Sequence, residues 1–179
     1  MKKKTNIRWL IKILLISVVA SMVFTLASTE ILGRVGYVVS FAILAVFIAL
    51  GIVFDVLGVA VMAATAAPFH SMAAHRERGA AESLRLIKNA DKVSSFCNDV
   101  VGDVTGIISG TTAALIAARL MEGLSAENLL FPLVISGIVT GLTVFGKAVG
   151  KTLAFNNNVA IILRVGRIIR FLRFKRRSK

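Results

Sequence analysis

Four long apolar runs, separated by polar and basic segments, restrict what this sequence of 179 residues can fold into. They lie at Trp9–Ser28, Tyr37–Ala66, Lys92–Ala118 and Leu129–Ala154. Each provides the roughly 20 residues that a helix needs to cross a bilayer, and none alternates like a barrel strand. Backbone polar groups in lipid must be satisfied internally. The sequence therefore predicts an all-α integral membrane protein with about four transmembrane helices and juxtamembrane amphipathic helices.

The positive charges are distributed unevenly around these runs. Every lysine and arginine except Arg34 and Arg119 lies before or early in the first run, between the second and third, or from Lys147 onward. This asymmetry predicts a multi-pass protein of the cell (plasma) membrane with both termini in the cytoplasm. The lipid bilayer is the expected partner of the +13 net charge. Nucleic acid is not, because the basic residues flank membrane segments and lack an interleaved aromatic platform.

The same pattern divides the chain into three predicted segments. Residues 1–36 form an N-terminal cytoplasmic tail, the first span and an external loop. Residues 37–154 form the main transmembrane domain, with a cytoplasmic amphipathic helix near 67–88, and residues 155–179 form a basic amphipathic tail. The first run could also be a cleavable signal peptide, but its apolar core exceeds the usual length of about 7–15 residues. We therefore expect a retained anchor.

The C-terminal tail allows two interpretations. Its arginines recur at every third position between mostly apolar pairs, at Arg164, Arg167, Arg170 and Arg173. Such a repeat is typical of a voltage-sensor helix, but here it follows four runs that already account for the spans. We favour a basic amphipathic helix held on anionic lipid.

The third apolar run carries charge in a segment that otherwise suits the membrane. Asp99 and Asp103 are four residues apart and so project from one helical face, next to Asn98. Each ionised carboxylate costs on the order of 2.5–3.5 kcal/mol in the membrane. Protons, a basic side chain or a bound cation must therefore neutralise these two groups.

Small residues also recur at intervals of four in the third and fourth runs. Such spacing produces a flat helical groove that another backbone can approach closely. The residues predicted to pack helices in this way are Gly102, Gly106, Gly110, Gly137 and Gly141.

Four charged residues are predicted to share one depth in the membrane. Counting from the cytoplasmic end of each run at 1.5 Å per residue places Asp55, Asp99, Asp103 and Lys147 roughly 10–17 Å deep. Two interpretations remain open: an ion-pair network that includes Lys147, or a site in which the carboxylates bind a cation. Oxygen ligands such as these, completed by Asn98 and Ser95, suit a hard cation such as Mg²⁺.

Catalysis and zinc binding find little support in the sequence. One cysteine and two histidines leave no zinc-type ligand spacing. A nucleophile–base pair is not apparent either, so we do not expect an enzyme, and Mg²⁺ is the one ion that the pattern suggests.

Two motifs resemble the transmembrane domain of the cyclin M/CorB/CorC family of magnesium transporters. In that family a Gly-Ala pair precedes an Asn-Pro-Asp-Arg/Lys turn, and Gly79–Ala80 and Asn89–Lys92 match both features. The family's last span ends in Phe-Gly-Glu-x-x-Pro-Lys-Thr-Leu-Ala, which Phe145–Ala154 match in register. The resemblance covers about residues 52–160. It implies a three-span fold, a homodimer and an ion site lined by hydroxyl, amide and carboxylate oxygens.

The chain departs from the family pattern at chemically important positions. Lys147 stands where the family has glutamate, and Ala90 and Gly150 stand where it has proline. The family's Ser-Glu-Thr-Ala signature is reduced to Ala63–Ala66, and its cytoplasmic CBS domains have no counterpart here. The resemblance therefore implies a Mg²⁺ transporter or a degenerate relative of one. The alternative is a non-transporting membrane assembly or scaffold protein.

Overall fold

The computed structural model describes residues 7–124 and 130–177, and every element in these ranges is helical. The start of the predicted cytoplasmic tail, part of the loop between the third and fourth runs, and the last two residues lie outside the described residues. The all-α class is confirmed. The elements are α1 (Ile7–Arg34), α2 (Tyr37–Ala63), α3 (Ala67–Ala74), α4 (Ala80–Lys88), α5 (Ala90–Ser95), a π-helical segment (Phe96–Gly102), α6 (Asp103–Leu124), α7 (Leu130–Asn156) and α8 (Asn158–Arg177).

Among the described residues, three helical stretches are long and apolar enough to cross a membrane. They are Tyr37–Ala63, Ala90–Met121 and Pro132–Asn156, which correspond to the second, third and fourth apolar runs. Apolar side chains such as Val38 (84% exposed) cover the outside of α2, as expected for a surface that faces lipid. The apolar part of α1, Ile11–Ala27, is shorter than these stretches, so the first span stays a prediction.

The described chain divides into two compact units. The first comprises Met1–Ile52 and Asp99–Gly146. Within it, α1 packs against α6, and the buried core consists of Leu44, Ala113 and Ile116. Gly51 allows α2 to approach α6, because a Cβ atom at this position would lie 2.6 Å from the Thr105 hydroxyl oxygen.

The second unit comprises Val53–Asn98 and Lys147–Lys179. Its core brings together the ends of α2 and α7 with α3 and α8, through Ala60, Val61, Phe69, Ala154 and Ile162. Helix α4 packs against both α3 and α8. This unit therefore combines the ends of two membrane spans with the juxtamembrane helices.

The amphipathic segment predicted near 67–88 folds as two helices rather than one. Pro68 lies in the first turn of α3, where its missing N–H costs nothing. Between α3 and α4 the backbone reverses through positive φ angles at Arg76 (56°) and Gly79 (92°). The sequence pattern did not reveal this turn, because Phe69 and Ala80, both fully buried, keep the spacing of one continuous apolar face.

The junction between α4 and α8 depends on close backbone contact. A Cβ atom at Gly79 would lie 2.6 Å from the backbone nitrogen of Arg167. The buried Ser83 hydroxyl lies within hydrogen-bond distance of two carbonyl oxygens, those of Gly79 (2.9 Å) and Ile162 (3.1 Å). Helix α8 is thus packed on a juxtamembrane helix and is not among the candidate spans. This arrangement favours the amphipathic interpretation of the C-terminal arginines over the voltage-sensor alternative.

Candidate cation site

An ion pair lies inside the second unit, on two helices that are predicted to cross the membrane. Lys147 Nζ of α7 is 3.5 Å from Asp55 Oδ2 of α2, and the side chains are 23% and 8% exposed. Charge-assisted N–H···O bonds are shorter, at about 2.7–2.9 Å. The contact is therefore a Coulombic pairing without a short hydrogen bond. In a membrane span, where an isolated charge is costly, pairing with an opposite charge offsets part of that cost.

Asn98 packs against α2 one turn beyond Asp55. Gly58 follows Asp55 by three residues and so lies on the same side of α2. A Cβ atom on Gly58 would overlap the Asn98 side-chain amide, so only glycine admits Asn98 here without a shift. The Asn98 Nδ2 group donates a hydrogen bond to Ser94 Oγ at 3.2 Å. Its Oδ1 atom is buried and accepts no hydrogen bond from the residues that the structure describes.

The backbone around Asn98 departs from α-helical geometry. The segment from Phe96 to Gly102 is π-helical, between α5 and α6, and contains both Asn98 and Asp99. A π-helical turn inside an α-helix is rare and is often found at functional sites. Just after it, the Thr105 hydroxyl lies within hydrogen-bond distance of the carbonyl oxygens of Val101 (2.8 Å) and Gly102 (3.1 Å). The Thr105 hydroxyl can therefore donate a hydrogen bond to a backbone carbonyl at the junction of the π-helical segment and α6.

The remaining predicted ligands have different surroundings. Asp99 and Asp103 belong to the first unit, and both side chains are exposed. Ser95 is half-buried, and its neighbour Ser94 is the serine that contacts Asn98. Within the described ranges, no group of three or more His, Cys, Asp or Glu side chains could hold a metal ion. In the described part of the second unit, oxygen donors thus occur at Asp55 on α2 and, against Gly58 one turn further along the same side of α2, at Asn98 with its partner Ser94.

Ser94, and Gly58 against which Asn98 lies, were not among the predicted site residues. Ser94 precedes Asn98 by four residues, so helical spacing alone could have identified it. Gly58 carries no side chain, and its role depends on the rotation of α2 toward the π-helical segment. Only the three-dimensional structure reveals that role.

Gly102, one of the five glycines predicted to pack helices, is buried, and the other four lie in more open surroundings. A Cβ atom at Gly106, Gly110, Gly137 or Gly141 would meet nothing within 4 Å. Described glycines that are in close contact include Gly51, Gly58, Gly79, Gly146 and Gly166. The predicted grooves are thus free of close intrachain contacts at these four positions, and packing against a second copy stays a prediction.

The second unit combines oxygen ligands with the ammonium group of Lys147, a cation that is covalently part of the chain. A carboxylate, an amide oxygen and a hydroxyl are hard ligands of the type that Mg²⁺ prefers. The Lys147 ammonium supplies a positive charge beside the carboxylate. A free cation would have to displace this ammonium in order to use Asp55.

Comparison with known protein families agrees with the motifs in the sequence. The family model of the cyclin M transmembrane N-terminal domain matches residues 43–174, about three quarters of the chain. No curated protein and no solved structure matches the chain. The matched region includes α3, α4 and the group around Asp55.

Proposed function

This chain belongs to the cyclin M transmembrane-domain family, and from that premise we propose that it transports a divalent cation, Mg²⁺, across the membrane. The family domain is associated with divalent-cation transport. One observation carries the proposal for this member: an Asp55 carboxylate, 8% exposed, lies 3.5 Å from the Lys147 ammonium in a membrane span. The site therefore binds positive charge at a depth where charge is otherwise excluded.

Lys147 acts in this proposal as a built-in competitor for the ion site. Its side chain is more exposed than that of Asp55, so the ammonium can withdraw along its flexible stem while the carboxylate stays. Mg²⁺ then binds Asp55, with the buried amide oxygen of Asn98 as a second ligand and water completing the shell. Asp99 and Asp103 stay predicted ligands.

Thermal melts with and without Mg²⁺ test this competition. Ligand binding to the folded state stabilises it by RT ln(1 + [L]/Kd), about 2.7 kcal/mol at a hundredfold excess over Kd. We expect the Mg²⁺-dependent shift in melting temperature to vanish in Asp55→Asn and to increase in Lys147→Glu. The matched control is Lys151→Glu, the same charge change at an exposed lysine one turn later on α7. Equal shifts in Lys147→Glu and Lys151→Glu would argue against competition at the site.

A second function is favoured by a separate observation. The open surroundings of Gly106 and Gly110 on α6 suit a non-transporting protein that assembles through this face, with Lys147 as a permanent counterion. Under this alternative, Gly106→Leu should lower the oligomer size in detergent, and no variant should respond to Mg²⁺. A homodimer is compatible with either function, so the Mg²⁺ response decides between them.

A further inference from the structure

A basic pocket lies in the second unit, on the juxtamembrane helices and away from the Asp55 group. It has a volume of about 760 Å³ and is lined by Glu77, Arg78, Arg167, Arg170 and Phe171. Two of these residues come from the turn before α4, and three come from α8. The chain therefore builds this pocket from segments about 90 residues apart in sequence.

The pocket has a net positive charge that is only partly compensated internally. Arg167 Nη2 donates a hydrogen bond to Glu77 Oε1 at 3.1 Å, and these side chains are 53% and 39% exposed. Arg78 and Arg170 are exposed. Three arginines and one glutamate leave two positive charges, which match the charge of about −1.5 to −2 on a phosphomonoester at pH 7. One guanidinium group can donate two parallel hydrogen bonds to the oxygens of a phosphate group, which fixes their relative geometry.

The backbone holds the two walls of the pocket together. Gly79 and Gly166 are in direct contact, and neither has room for a side chain. Ser83, fully buried, contacts the carbonyl of Ile162 on α8. The arginines thus project from a packed junction between helices and not from a free tail.

The outer surface of α8 suggests where the phosphate comes from. Ile168, Phe171 and Leu172 are 59%, 70% and 60% exposed. Large apolar side chains beside arginines on one helix are typical of a helix lying in the headgroup layer of a bilayer. Because Phe171 also lines the pocket, a lipid whose headgroup enters it would have an apolar surface beside its chains.

We infer that this pocket binds a phosphomonoester, carried by a lipid headgroup or by a soluble phosphate. Arg78 and Arg170 are the primary contacts. Arg167 contributes when it is released from Glu77, so the glutamate limits the affinity. This site does not depend on ion transport.

The test is a titration of the purified full chain in neutral detergent, with thermal stabilisation as the readout. The lipid probe is phosphatidic acid, and the soluble probe is glycerol 3-phosphate, which carries the same headgroup. We expect the native protein to be stabilised saturably. Arg78→Gln and Arg170→Gln should each lower the apparent affinity about tenfold. Stabilisation by phosphatidic acid alone assigns the lipid source, and equal stabilisation by both probes assigns a soluble phosphate.

Two further variants protect the test from misfolding and from nonspecific charge effects. The control Arg85→Gln/Lys88→Gln removes the same two positive charges as the pocket variant Arg78→Gln/Arg170→Gln, from exposed positions on α4 outside the pocket, and should bind like the native protein. Glu77→Gln should bind more tightly, because it frees Arg167. If the pocket variant and this control lose affinity equally while Glu77→Gln changes nothing, binding is general attraction to the basic surface and the inference is wrong.

Discussion

Asp55 is buried among apolar residues of α2, and its charge has to be balanced by a nearby group. The sequence could predict that Asp55 and Lys147 lie at one depth, because the rise of a helix is constant. It could not predict which carboxylate Lys147 would contact. That choice depends on the rotation of each helix about its axis, which side-chain packing determines. By contrast, the contact between Ser94 and Asn98 lies within one helical stretch and follows from their spacing of four residues.

Removing the lysine of this pair should destabilise the protein. Truncating one partner of a buried ion pair lowers the free energy of unfolding by about 3–5 kcal/mol. Because Lys147 is partly exposed, the expected loss for Lys147→Met is about 3 kcal/mol or less. Asp55→Asn in the same chain should recover much of it. Thermal unfolding in detergent measures both changes, with Lys151→Met as the matched control. A double variant no more stable than Lys147→Met would show that Asp55 is not the important partner.

The π-helical segment is the element that sequence patterns could not reveal. Phe96–Gly102 has the composition of an ordinary polar membrane helix, and its residue pattern does not distinguish a π-helical turn from an α-helical one. The long apolar spans were predictable, because hydropathy over about 20 residues reports membrane crossing directly. The break between α3 and α4 was not, since it depends on the positive φ angles of two residues.

A glycine on α2 provides a test of how this element packs. Gly58→Ala should displace the Asn98 amide and cost roughly 1–3 kcal/mol through overpacking, despite the higher helix propensity of alanine. Gly106→Ala is the matched control, because its Cβ atom meets nothing within 4 Å and alanine should gain up to about 1 kcal/mol there. Melting temperatures should therefore move in opposite directions. An equal rise in melting temperature in both variants would mean that the Asn98 side chain does not pack against Gly58.

At the scale of the whole molecule, charge outside the spans determines orientation. The basic residues between the second and third apolar runs lie on the turn before α4, on α4 and at Lys92 of α5, and the tail arginines lie on α8. Orientation in the bilayer is a prediction from charge asymmetry. Three spans follow from length and composition, and the contribution of α1 decides on which side the N-terminus lies.

Cysteine labelling of intact cells tests this topology. In a Cys97→Ala background, an impermeant reagent should modify Ser125→Cys and leave His75→Cys, which is exposed on the turn between α3 and α4, unmodified. Permeabilisation should make both positions reactive. Labelling of position 75 from outside, with position 125 protected, would invert the orientation.

The most direct test of the central claim is Mg²⁺ flux into proteoliposomes that contain the purified chain and an internal Mg²⁺-sensitive dye. We expect flux above that of protein-free vesicles, its loss in Asp55→Asn, and faster flux per folded protein in Lys147→Met than in the control Lys151→Met. If the native chain, Lys147→Met and Lys147→Glu all insert and fold but none of them moves Mg²⁺, the chain is not a transporter. The pair of Asp55 and Lys147 is then structural.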